Sequence, residues 1–123
     1  MKIAVVDAYE VLSQSELMKN VDIYTNSVPE SEFSNPKLPI ARIVELYGEY
    51  DDFSSDSANT VTHSVQLDLW VDTLDEVEKY YFDIDVTMAI HDWQCTYTEQ
   101  TDDPDLENSK RIIKRYRKTQ FTK

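Results

Sequence analysis

Apolar residues recur along this chain with two different periods, and the alternation between those periods marks out its elements. Val5, Ala8, Tyr9 and Leu12 follow helical spacing within residues 2–20, a stretch without Gly or Pro, and Asp7 suits the positive end of a helix. Ser13, Gln14 and Ser15 interrupt that stripe before Leu17 and Met18. Ile23 and Tyr24 then predict a short strand, and the polar run from Asn26 to Lys37, with Pro29 and Pro36, an exposed connection. Leu38 to Tyr50 reads as a strand with Pro39 at its entry, closed by the polar stretch Asp51 to Thr60. Val61 to Asp72 alternates cleanly, with Val61, Val65, Leu67, Leu69 and Val71 on one face and Thr62, Ser64, Gln66, Asp68, Trp70 and Asp72 on the other.

The period returns to helical at Thr73, where Thr-x-x-Glu with Glu76 forms a capping box. Leu74, Val77, Tyr81, Ile84 and Met88 continue as one stripe, with Asp75, Glu78, Lys79 and Asp83 facing water. Trp93, Cys95 and Tyr97 share a face of a further strand, the acidic loop Thr101 to Glu107 turns the chain, and Asn108 to Phe121 returns as a basic strand. Strands mixed with helices, without the repeating unit of parallel sheets, predict an α+β fold: a mainly antiparallel sheet of about four to five strands, two helices on one face, and a long hairpin. The tip of that hairpin, Asp51 to Thr60, exceeds the roughly two to five residues usual for hairpin loops and predicts a contact surface beginning at Asp51, Asp52 and Phe53.

Composition narrows the function more than the fold. The 123 residues are 41% apolar with one glycine and one cysteine, which fits a single domain with a small core and argues against Gly-rich phosphate-cradling loops. Cys95 has no internal disulfide partner, no N-terminal run combines basic residues with a signal-like apolar stretch, and the longest apolar runs fall far short of the roughly 20 residues that span a bilayer. A cytosolic chain without membrane segments is therefore expected.

Charge carries more information than its total of −12. Residues 1–109 hold five basic and 24 acidic side chains, a net −19, whereas Lys110, Arg111, Lys114, Arg115, Arg117, Lys118 and Lys123 make residues 110–123 +7. Such separation predicts attraction between the basic segment and an acidic surface, either as a basic edge strand of the same fold or on a neighbouring copy. Trp70, on the polar face of its strand, predicts either an interface or a second sheet face covered by the chain's own loops.

No catalytic constellation emerges. His63 and His91 lack metal-ligand spacing; a marginal hydrogen-bonded position suits the first and a helix end the second. Cys95 reads as a small hydrophobe. The acidic clusters Asp51, Asp52, Asp56 and Asp102, Asp103, Asp105, Glu107 lack the glycine and terminal Glu of a calcium loop, and Asp83 and Asp85 point apart on a helix. A nucleic-acid module using Arg111, Arg115 and Arg117 for phosphates and Tyr116 for stacking is opposed by the −19 body. No enzyme, cofactor or metal is expected.

The order of elements resembles the small tail-terminator or tail-completion proteins of long-tailed, siphovirus-type bacteriophages of Gram-positive hosts. The resemblance lies in the N-terminal helix, the strand entry Leu38-Pro39-Ile40-Ala41-Arg42-Ile43, the strand Ser64-Val65-Gln66-Leu67-Asp68-Leu69-Trp70-Val71 running directly into a helix, and the terminal Lys110-Arg111-Ile112-Ile113-Lys114-Arg115-Tyr116. It implies a structural virion protein, assembled in the host cytoplasm as a homo-oligomeric ring, typically a hexamer. That ring would cap the tail tube, stop its polymerisation and join it to the head-tail connector, with DNA passing the lumen unbound. A head-side completion or stopper protein at the same joint is the nearest alternative. The expected interface residues are Trp70, Lys110, Arg111, Lys114, Arg115, Arg117, Asp51, Asp52 and Phe53.

Overall fold

Each element forms where local sequence and burial agree, and stops where they part. The computed structural model describes residues 2–34, 37–106 and 109–122; Asn35, Pro36, Glu107, Asn108 and Lys123, parts of the expected connection, acidic loop and basic strand, lie outside them. Helix α1 covers Ala4–Ser13 and buries Ala4, Val5, Ala8, Val11 and Leu12. It ends sooner than the Gly- and Pro-free stretch because Ser15 diverts the backbone: its hydroxyl donates to the Leu12 carbonyl and accepts from the Met18 amide. Strand β1 (Asp22–Thr25) follows, and the polar connection contains a short helix, α2 (Glu30–Ser34).

Strands β2 (Ile40–Ser54) and β3 (Ser57–Val71) form one long hairpin. The expected polar tip is instead strand up to a two-residue turn, Ser55 and Asp56, with φ of 53° and 68°. Positive φ at both central residues is the type I′ geometry that matches strand twist. Polarity misled here because this part of the hairpin is solvated on both faces, so no apolar alternation is required of it.

The helical stripe after Thr73 divides into α3 (Leu74–Tyr81) and α4 (Asp83–Ile90), separated at Phe82, where aromatic and Asp residues of weak helix propensity adjoin. Thr73 caps α3 as expected, accepting from the Glu76 amide at 3.3 Å. The break re-aims the stripe: Val77, Tyr80, Ile84 and Met88 are buried, whereas Leu74 is 58% exposed and Tyr81 only half-buried. Helix α4 closes at His91, the expected helix end, with Asp92 at φ 70°; the Asp92 amide donates to the Ala89 carbonyl and the Trp93 amide to that of Met88, both at 3.0 Å. This left-handed cap tucks the indole of Trp93 into the core.

Strands β4 (Gln94–Asp103) and β5 (Ser109–Phe121) complete a five-stranded sheet in the order β1-β2-β3-β5-β4, antiparallel except for the parallel β1–β2 pair. Two register shifts reset the faces. One between Cys95 and Tyr97 leaves Cys95 beside Tyr116 on the helix side and sends Tyr97 beside Arg115 to the other, so Trp93, Cys95 and Tyr97 do not share a face. A second, between Glu45 and Tyr47, does the same in β2. The main core lies between α1, α3, α4 and the helix-side face of the sheet. A smaller core of Val28, Ile40, Trp70 and Leu106 covers one end of the opposite face.

Candidate interaction surfaces

The basic strand is not an edge. β5 lies between β3 and β4, and the fold consumes most of its charge internally. Lys110 pairs with Asp102 at 2.7 Å and Lys118 with Asp7 at 2.8 Å. Lys114 is fully buried under the helices, where its ammonium meets Asp85 of α4 at 3.1 Å and the Thr98 hydroxyl at 3.0 Å and sits over the Tyr81 ring. Tyr116 donates to the other Asp85 oxygen at 2.6 Å. Burial, then that hydrogen bond, pushes the Tyr116 hydroxyl far above the usual tyrosine range, so it remains a donor. Cys95, half-buried in the same neighbourhood, has its thiol raised by burial and by the Asp85 charge, which disfavours the thiolate.

On the opposite face, Asp68 is completely buried between strands β2 and β5. Arg42 reaches one carboxylate oxygen through Nε and Nη2 at 3.2 and 2.8 Å, and Arg111 reaches the other at the same two distances. Both guanidiniums lie over the Trp70 ring, 5.5 and 5.3 Å from its centroid, and the indole Nε1 donates to Asp103 at 2.9 Å. Trp70 is therefore not exposed: at 2% accessibility it is an anchor of the smaller core, because the β1–β2 connection and the β4–β5 turn fold over it. The reading in which the chain covers its own second face holds for this end of the sheet. Of the residues expected at an interface, Trp70, Arg111, Lys110 and Lys114 are thus engaged inside the subunit.

The other end of that face is open. Register places Tyr47, Ser64, Arg117 and Gln94 in one cross-strand row, and Gln66, Arg115 and Tyr97 in the next. Arg115 donates to Gln66 at 3.1 Å and lies 5.0 Å from the Tyr97 ring centroid; Tyr97 itself donates to Glu99. Arg117 is exposed and carries no ion pair among the described residues. A cleft of about 260 Å³ runs between Tyr47 and Tyr97, lined also by Leu46, Ser64, Thr96 and Arg115. That is below the roughly 300 Å³ at which small-molecule sites begin. Arginine and aromatic side chains on an uncovered face have the composition of a protein interface core.

From this open face the hairpin projects. β4 begins opposite Arg117, whereas β3 continues seven residues further to Ser57, about 23 Å at roughly 3.3 Å per residue, with β5 beside it as far as the Thr60–Phe121 pair. Along this arm Tyr50, Phe53 and Phe121 are exposed, together with Asp51 and Asp52. A second exposed apolar set runs along α4: Phe82, Val86 and Ile90, at 71, 61 and 73% accessibility, occupy positions i, i+4 and i+8. The sequence carried this stripe legibly, but the buried stripe of the same helix eclipsed it; Tyr47 and Tyr97 were hidden by the two register shifts.

His63 sits on the helix side opposite Gly48 and Lys118, and its Nε2 has no hydrogen-bond partner among the described residues, contrary to the expected bonded position. Among the described residues no three His, Cys, Asp or Glu side chains gather as metal ligands, and no helix is long and apolar enough to cross a membrane. No protein-family model matches the chain, and no curated protein matches it.

Proposed function

We propose that this chain is an assembly subunit, specifically a tail-terminator protein that closes as a ring on the end of a phage tail tube and joins it to the head connector. The observation that carries this reading is the β2–β3 arm. Three strands run out past the start of β4, β2 and β3 continuing beyond the Thr60–Phe121 pair, and they display Tyr50, Phe53 and Phe121 to solvent. Burying such aromatics on a partner recovers the free energy that their exposure forgoes. The open Arg115–Arg117–Tyr47–Tyr97 face supplies a second contact surface. The acidic remainder of the subunit allows DNA to pass without gripping it.

The test mixes the purified chain with tail-tube protein of the same phage and measures tube length by electron microscopy. Tubes capped at one end by a ring, with growth halted, support the proposal; tubes that keep growing with no chain attached overturn it. One observation favours a second reading. Arginines and tyrosines on an open sheet face also form a platform for single-stranded nucleic acid. Filter binding at low salt separates the two, since retention abolished by Arg115→Glu and Arg117→Glu belongs to the nucleic-acid module alone.

A further inference from the structure

The molecule carries two unpartnered surfaces of opposite character on opposite sides of its sheet. The helix side presents Phe82, Val86 and Ile90 in a neighbourhood rich in acids: residues 74–90 hold five acidic side chains and one lysine, and Asp75, Glu78 and Asp83 are exposed. A helix that is apolar on both its inner and outer faces is suited to burial on both. The sheet side presents Arg115 and Arg117 between Tyr47 and Tyr97, with a cleft that admits one side chain. Its two open rows contain Arg115 and Arg117 and no acid, with Glu99 in the flanking row on one side and Glu49 in that on the other, so positive charge is confined to these two arginines on a chain whose net charge is −12.

We infer that the occupant of the open sheet face is the α3–α4 surface of a second copy of this chain, packed head to tail, with the α4 stripe over the Tyr47–Tyr97 cleft and Glu78 and Asp83 facing Arg115 and Arg117. Both the apolar and the charged features match, and the two surfaces belong to different faces of one subunit. The contact is therefore heterologous, and it closes into a ring when the rotation between copies closes. This deepens the ring reading above by naming the surfaces that meet.

Two double variants test it by native mass spectrometry and sedimentation, with circular dichroism to establish folding: Arg115→Glu with Arg117→Glu, and Glu78→Lys with Asp83→Lys. The wild type assembles. Each variant alone dissociates at a concentration roughly a hundredfold higher, because like charges then face each other. An equimolar mixture of the two reassembles with the variants alternating, since every junction again joins opposite charges. A monomeric wild type, oligomers indifferent to both reversals, or a mixture that stays dissociated overturns the inference. Rings that cap tubes yet ignore both reversals refute this interface while leaving the terminator reading standing; tubes that stay uncapped refute the terminator reading, whatever the reversals do.

Discussion

Removing the carboxylate of Asp68 tests the main polar element of the sheet's second face. The buried carboxylate accepts two hydrogen bonds from Arg42 and two from Arg111, and both arginine side chains are only 26% exposed. Hydrogen bonds to charged groups contribute about 1.5–3 kcal/mol each in isolation, but they share one acceptor group and do not add. Breaking a buried ion pair from one side costs about 3–5 kcal/mol. Partial exposure lets water reach the freed guanidiniums, so Asp68→Ala is expected to cost about 3 kcal/mol, the low end of that range. Asp68→Asn, which keeps one acceptor oxygen, should cost about half as much.

Against a total stability of about 5–15 kcal/mol, the alanine variant should melt roughly 10–15 °C below wild type. Urea unfolding followed by circular dichroism gives the free energy. Tryptophan emission reports the local event, because the two arginines that hold Asp68 also lie over Trp70. A loss under 0.5 kcal/mol for Asp68→Ala would refute the view that this carboxylate holds the two strands' arginines in place. So would a triple replacement of Arg42, Asp68 and Arg111 by apolar residues that proves worse than Asp68→Ala alone, since removing all members of a buried ionic triad leaves no charge stranded.

Three further outcomes follow from the helix side. Asp85→Ala should destabilise more than Lys114→Met in the same urea assay, because it strands a fully buried ammonium at about 3–5 kcal/mol, whereas Asp85 without its lysine keeps the Tyr116 hydroxyl and partial exposure; the reverse order would overturn the assignment. Tyr116 holds its proton more tightly in the fold than its ordinary value of 10.0 allows, so the stability it contributes is complete below about pH 10 and is lost at higher pH. Unfolding free energy should fall above pH 10 by about 1.4 kcal/mol per unit from this group, and Tyr116→Phe should lack that component, equal slopes counting against it. Asp92→Gly should raise the melting temperature by about 2–4 °C, since glycine adopts φ 70° without strain, while Asp92→Ala should lower it; a gain for alanine would contradict the cap.

Short-range signals in this chain were sufficient for the α+β class, the long strand through Val61–Val71, the Thr73 cap and His91 as a helix end. Each of these depends on residues within one or two turns or one strand, where side-chain period and backbone hydrogen bonding act directly. The separation of +7 from −19 was equally legible, but its meaning was not. Asp68 is 26 and 43 positions from its two arginines, and Lys114 is 29 from Asp85. Only strand order decides that β5 lies inside the sheet, so that most of its cations meet acids of their own subunit. Two single-residue register shifts, invisible as sequence period, then chose which face Tyr47 and Tyr97 occupy, and the folding of two connections over Trp70 removed it from solvent. Local periodicity thus determined the elements, because they answer to neighbouring residues. Tertiary structure decided which aromatics and arginines remain available to a partner, because exposure is a property of everything packed around a side chain.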